Sequence, residues 1–278
     1  MNSALPTSPQ PDLSPFEAFA VTLAKVAGEV ILPLFRADHG LIDKGAQTGK
    51  AFDPVTHADR NAEAAIRRAI AAAYPEHGVI GEEYGEDRPD AEFVWVLDPI
   101  DGTRAFISGF PVWTTLIALR QAGKPTVGII AQPFLDEIFL GGPSGARRLT
   151  PTSDERLRTR PTPDLSVAIG ATTDPYLFKG ARQAGFERVR AATRLVRYGA
   201  DAYAYAMVAM GRLDYVVEAG LKAWDVESAV PILEQAGGSI CHWNGAPLGQ
   251  AGGDLLIVGD AARLNDLITR LGAPDPHE

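Results

Sequence analysis

Between residues 79 and 140 the chain is cut into short β-rich runs by glycine and proline turns, and this pattern limits the available folds more than any other. The runs fall at 79–81, 93–97, 112–120, 126–132 and 137–140, and the tight turns between several of them imply antiparallel pairing. Two helices are predicted ahead of this sheet. Ser14-Pro15-Phe16-Glu17 reads as a capping box with proline at the first helical position, and Phe16, Ala20, Leu23, Ala27, Val30 and Leu34 keep helical spacing to about Phe35. The second helix runs from Thr56 to about Tyr74, stopped by Pro75, with Thr56 as N-cap and Asp59 at the third position; residues 45–50 between the helices read as flexible.

Residues 143–163 are polar, charged and proline-bearing, and mark a domain boundary. Beyond them, strands near 166–170, 194–197, 215–217, 238–242 and 255–258 alternate with helices near 175–185, 201–210, 226–235 and 261–271, which predicts a smaller α/β unit. The expected division is a disordered segment 1–12, a helix pair with an antiparallel sheet over 13–145, and the smaller α/β half over 146–278.

With 278 residues, 46% hydrophobic and 22% charged, the chain has the composition of an ordinary globular protein able to bury a large core. A net charge of −9 argues against nucleic-acid binding. The pairs Arg67-Arg68 and Arg147-Arg148 are too short for a phosphate-backbone track and read as solvated surface. The lone Cys241 implies a buried thiol in a reducing, cytoplasmic setting, and no signal-peptide core or run of 18 apolar residues points to secretion or a membrane.

Function is written into Asp98-Pro-Ile-Asp-Gly-Thr103, at the end of the apolar run 93–97 and sixteen residues after Glu82. Pro99 and Gly102 end the strand, so Asp98 and Asp101 leave the sheet edge together. Two carboxylates on one sharp turn repel unless cations sit between them. Oxygen ligands, a free carbonyl at Ile100 and no thiolate or paired histidines suit Mg2+ over zinc. Asp225, after Trp224, offers a fourth carboxylate. Gly102 and Thr103 open a turn whose backbone N–H groups would hold a phosphate.

These segments resemble the inositol monophosphatase family, at Gly81-Glu82-Glu83, Asp98 to Thr103 and Trp224-Asp225, with the likeness covering nearly the whole chain. Arg104 to Gly109, Arg197 to Tyr205 and Val217 to Lys222 are most similar to its histidinol-phosphatase branch. The resemblance implies an α/β fold, an α+β layered sandwich in which a large antiparallel sheet with a helix pair joins a smaller α/β half. It implies a lithium-sensitive phosphatase with two or three Mg2+ ions held by Glu82, Asp98, the Ile100 carbonyl, Asp101 and Asp225. Asp59 would hydrogen-bond Thr103, and both, with Glu82, would position the attacking water. Asp101, Gly102, Thr103, Arg104, Arg197, Asp201 and Glu218 would contact substrate: histidinol phosphate, or alternatively inositol-1-phosphate or another sugar or nucleotide phosphate. A homodimer is expected, acting on a small phosphorylated metabolite without nucleic acid or membrane. A binding scaffold with residual hydrolysis is the rival of another class.

Plainer roles stand beside these. Asp98 and Asp101 could form an Asx turn, Asp59 could only cap its helix, Asp201 could be an N-cap and Arg197 a surface charge at a strand end. His57 reads as surface, Lys222 as a solvated loop charge, and Tyr203, Tyr205 and Met207 as helix packing.

Overall fold

The computed structural model describes residues 12–37, 40, 42–43 and 54–272. The segments expected to be disordered (1–12) or flexible (45–50) lie outside the described residues, Asp12 excepted.

The first helix, α1, spans Ser14–Ile31 and runs into a tight turn at Leu32–Leu34. Its predicted capping box does not form. Ser14 is already helical, and its amide donates to Asp12 Oδ1 at 3.0 Å. Glu17 is buried and reaches away to accept from the Ser144 amide at 2.9 Å. The second helix, α2, spans His57–Ala73, and Thr56 and Asp59, at the expected N-cap and third positions, form a capping box: Asp59 Oδ2 accepts from the Thr56 amide at 2.8 Å, and Thr56 Oγ1 accepts from the Ala58 amide at 3.1 Å.

A two-stranded ribbon, β1 (Ile42–Asp43) and β2 (Pro54–Val55), precedes α2. The large sheet contains β3 (Gly78–Gly81), β4 (Gly85–Asp87), β5 (Phe93–Asp101), β6 (Thr114–Gln121), β7 (Lys124–Gln132), β8 (Glu137–Gly141), β9 (Arg147–Leu149) and β10 (Asp154–Arg156), in the order β10-β9-β8-β7-β6-β5-β3-β4. Every neighbouring pair is antiparallel except β3 and β5. The strands β4, β9 and β10 went unpredicted because they are short and polar, with no apolar period to show them. Since β9 and β10 belong to this sheet, the first half extends to Arg156, beyond the boundary expected at 145–146. Of the arginines read as solvated surface, Arg68 is exposed and Arg147 pairs with Asp154 at the surface, whereas Arg67 and Arg148 are drawn into partly buried pairs with Glu63 and Glu137.

The second sheet comprises β11 (Ile169–Thr172), β12 (Leu195–Tyr198), β13 (Tyr215–Leu221), β14 (Ser239–His242) and β15 (Gly253–Val258), ordered β12-β11-β13-β15-β14, with β11 parallel to both neighbours and the other pairs antiparallel. Its helices, after α3 (Thr103–Ile107) of the first half, are α4 (Gly180–Ala192), α5 (Tyr203–Ala209), α6 (Ala223–Val226), α7 (Ala229–Ala236) and α8 (Leu264–Leu271). The helix expected at 175–185 is instead a single tight turn, Pro175–Leu177, capped by Asp174, followed by α4; the one expected at 226–235 is split into α6 and α7.

The result is five layers. The α1–α2 pair packs Leu23, Ile31 and Ile66 against Trp95 and Ile117 on one face of the large sheet. Between the sheets, α5 and α7 place Val208, Ile232 and Leu233 against Leu116, Ile130 and Phe139 of the first sheet and Val216 and Ile257 of the second. Outside, α4 and α8 cover Tyr215, Val217, Leu256 and Val258. Tyr215, Val216 and Val217 thus alternate outward, inward and outward, as a strand buried on both faces must. Cys241 is a free, buried thiol in the outer core. No helix among the described residues is long and apolar enough to cross a membrane.

Candidate metal and phosphate site

The site begins where β5 loses register with β6. Asp98 faces Leu116 and Asp101 faces Thr114, so one extra residue bulges on β5 between them. Pro99, which has no amide hydrogen to lose, occupies the bulge, and the Thr115 hydroxyl donates to its carbonyl at 2.8 Å. Asp98 Oδ1 accepts from the Ile100 amide at 3.1 Å, so the Asx turn is present. That bond uses one oxygen and leaves the other for a ligand. Gly102 then takes φ 79°, the left-handed conformation that favours glycine, and opens α3 at Thr103. A Cβ on Gly102 would lie 2.8 Å from Asp201 Oδ2, so the missing side chain also lets the two halves meet.

Glu82 follows β3, with its amide donating to the Leu97 carbonyl at 3.3 Å. Its turn is held by a residue that sequence reasoning missed. Glu63, fully buried on α2, accepts from the amides of Glu83 at 2.8 Å and Tyr84 at 3.2 Å and from Arg67 at 2.7 Å. Asp59 lies one turn earlier on the same helix. The expected Asp59–Thr103 hydrogen bond is not among those formed: Asp59 Oδ2 accepts from the Thr56 hydroxyl at 2.6 Å, and the Thr103 hydroxyl donates to the Ile100 carbonyl at 3.1 Å. The capping role of Asp59 is therefore real. Asp225 arrives from the second half as the third residue of α6, its Oδ2 accepting from the Lys222 amide at 2.6 Å.

Glu82, Asp98, Ile100, Asp101, Gly102, Thr103 and Asp225 all line one cavity of about 200 Å³, together with Asp201, Glu218, Thr173 and Tyr205. Among the described residues, no lysine, arginine or histidine lines it. Burial, then the facing carboxylates of Glu82, Asp101 and Asp225, push Asp98 well above the usual carboxylate range. Asp101 is pushed up by burial and by Asp201, against the Ala202 amide, which donates to it at 2.7 Å. Burial raises Asp225 and Asp59 to about 6 each. Among the described residues no three acidic, histidine or cysteine side chains are already drawn together as a closed metal-ligating group. The carboxylates ring the cavity. Buried carboxylates that repel one another, all oxygen donors, fit one or more hard divalent cations.

Glu218, on β13 just before that strand's bulge, is buried and accepts from the Thr173 amide at 2.8 Å, the Thr173 hydroxyl at 3.0 Å and the Thr172 hydroxyl at 3.4 Å. Burial outweighs these bonds and raises it to about 8. Asp201 is not an N-cap: α5 starts two residues later, and Asp201 has φ 42° with its carboxylate turned into the cavity. Arg104 and Arg197 do not enter this cavity. They line an adjoining one of about 550 Å³, which shares Thr173 and Asp201 with the first and also contains Asp174, 3.6 Å from Arg104. Thr173 and Asp174 were not singled out from the sequence, since a Thr-Thr-Asp run after a strand reads only as a turn. His57 and Lys222 are exposed, as expected.

The chain is similar to known proteins over nearly its whole length. It is 43% identical over 236 residues to the bifunctional phosphatase IMPL2, chloroplastic, of Arabidopsis thaliana, covering 84% of this chain and 66% of that protein, which is therefore longer. It is 32% identical to a histidinol-phosphatase of Chlorobaculum parvum, covering 94% of this chain and 98% of the relative. Among solved structures, an inositol monophosphatase from Zymomonas mobilis superposes with a TM-score of 0.82 at 36% identity, over 94% of this chain and 99% of that one. Residues 12–271 match the inositol monophosphatase family, a family of phosphatases that are generally metal-dependent, and the chain belongs to it.

Proposed function

We propose that this protein is a magnesium-dependent phosphatase that hydrolyses histidinol phosphate to histidinol and inorganic phosphate, holding two or three Mg2+ ions during turnover. The observation that carries this reading is the cavity onto which Glu82, Asp98, Asp101 and Asp225 converge. Those carboxylates and the Ile100 carbonyl hold the metal, which supplies Lewis-acid charge and an activated water when bound. The backbone amides at Gly102 and Thr103 bind the phosphoryl oxygens at the start of α3. The Thr103 hydroxyl has given its hydrogen to Ile100, so its oxygen accepts one from the attacking water and aims it at phosphorus. Asp59, bonded to the Thr56 hydroxyl and outside the cavity wall, steadies this water only by exchanging that partner for it. The new P–O bond forms as the ester P–O bond breaks, and the leaving oxygen is protonated to the alcohol.

Substrate choice rests on Asp201 and Glu218. The two carboxylates suit the ammonium of histidinol, whose positive charge would draw the raised Glu218 to its ionised form, while the adjoining cavity accommodates the imidazole. The similarity to a histidinol-phosphatase points the same way. Inositol-1-phosphate is the second reading, favoured by Trp224-Asp225, the inositol-type pairing, and by the Zymomonas structure.

Phosphate release from both compounds at equal concentration tests the proposal. Turnover with magnesium, abolished by EDTA, and a preference for histidinol phosphate of about tenfold or more are expected. Preference for inositol-1-phosphate would overturn the substrate, and no metal-dependent release from either would overturn the activity.

A further inference from the structure

Asp225 is the one carboxylate of the four that comes from the second half, and no strand of that half hydrogen-bonds to the large sheet. Its position relative to Asp98 and Asp101 is therefore set by side-chain packing, where α6 lies on β5 and β6. A buried ion pair sits at that contact. Arg120, 5% exposed and opposite Val94 in the sheet, donates from Nε to Glu227 Oε2 at 2.6 Å and from Nη2 to Glu227 Oε1. Glu227, 1% exposed, follows Asp225 by two residues, and its amide closes α6 by donating to the Ala223 carbonyl at 3.0 Å. Cavities of about 580 Å³ and 320 Å³ flank the pair, the first touching Glu227 and the second Arg120 and Trp224. Val226, Glu227 and Ser228 are all buried, so packing and the ion pair locate this segment together. Trp224 adds a partly buried contact to the small cluster of Ile80, Val94, Val96 and Ala118.

We infer that the Arg120–Glu227 pair is a positioning device for the metal site, a two-pronged clamp that fixes where Asp225 stands opposite Asp98 and Asp101. Net stability is a weak reason for such a pair, because well-packed apolar residues often stabilise as much. Fixed direction is the better reason: a guanidinium binding both carboxylate oxygens sets distance and angle together.

The inference rests on the metal reading above, and calorimetric magnesium binding in the absence of substrate tests it. Arg120→Met and Glu227→Gln are each expected to weaken magnesium binding about tenfold to a hundredfold, the range for residues that orient metal ligands. The double variant Arg120→Met/Glu227→Leu leaves no buried charge unpaired, so thermal stability returns while magnesium binding stays about tenfold or more weaker. Arg120→Lys, which keeps the charge without the fork, falls between. If the single variants do not fold, the double variant and Arg120→Lys decide. Magnesium binding by the double variant within about twofold of the unaltered protein would overturn the clamp alone. No magnesium uptake by the unaltered protein would overturn the metal site and the clamp together.

Discussion

A buried carboxylate with only other carboxylates for company is stable as a ligand and unstable as an ion, and Asp98 shows both sides of this. Its folded-state pKa is raised by burial and by Glu82, Asp101 and Asp225. The stability it contributes is therefore complete below its unfolded value of about 3.9 and is lost as pH rises. In EDTA at pH 8, Asp98→Asn should be more stable than the unaltered protein by roughly 1 kcal/mol, the usual exchange between activity and stability. The difference should vanish near pH 4. The variant keeps Oδ1 for the Ile100 amide, yet should lose turnover and the rise in melting temperature on adding magnesium. Thermal unfolding at the two pH values checks this, and a variant less stable at pH 8 would contradict it. At this scale much of the site was legible, because Asp98 to Thr103 is one contiguous segment whose chemistry needs no tertiary information. Glu63 was not: a glutamate four residues before an arginine on a helix reads as a surface pair, and the amides it holds lie about twenty residues away.

Elements were legible where burial imposes a period and illegible where a side chain serves a distant partner. Thr56 and Asp59 cap α2 as their spacing predicts, whereas Glu17 leaves the start of α1 for the loop after β8. The joint between α1, α2 and β5 is another distant arrangement. His77 stacks on Tyr74 at 4.6 Å and Phe93 at 5.0 Å, with Phe16 of α1 5.4 Å away, and its Nδ1 accepts from Trp95 Nε1 at 3.1 Å. Burial lowers the His77 pKa against the opposing pull of Glu92. A lowered folded value means its contribution is present above the unfolded value of about 6.5 and is lost as pH falls through the folded one. Protonation would also remove the acceptor for Trp95. The unaltered protein should therefore lose stability between pH 7 and pH 5 relative to His77→Phe, whose own cost, the unpaired Trp95 N–H, does not titrate. Parallel denaturant titrations measure the gap, and a gap that stays constant over that range would rule out His77 as the titrating group.

At the scale of the molecule the two halves meet through α7, and the sheet makes room for it with glycine. Gly128 of β7 and Gly141 of β8 are cross-strand partners. A Cβ on Gly128 would lie 2.0 Å from the Ser228 carbonyl oxygen, and one on Gly141 would lie 2.2 Å from the Ile232 amide nitrogen. A glycine inside a strand signals that something approaches closely, but the sequence cannot say what, and so this docking was illegible while the two sheets themselves were not. Gly141→Ala must push α7 off the sheet, with an expected cost of about 1–3 kcal/mol, as for an overpacked core. The chain joining α6 to α7 is only Glu227 and Ser228, so the displacement reaches Asp225, and magnesium binding should weaken along with stability. Gly249→Ala, with nothing within 4 Å of its added Cβ, is the control and should change neither. If Gly141→Ala lost stability but bound magnesium as before, α7 would be merely structural; loss of both would show that the depth at which the halves dock also sets the metal site.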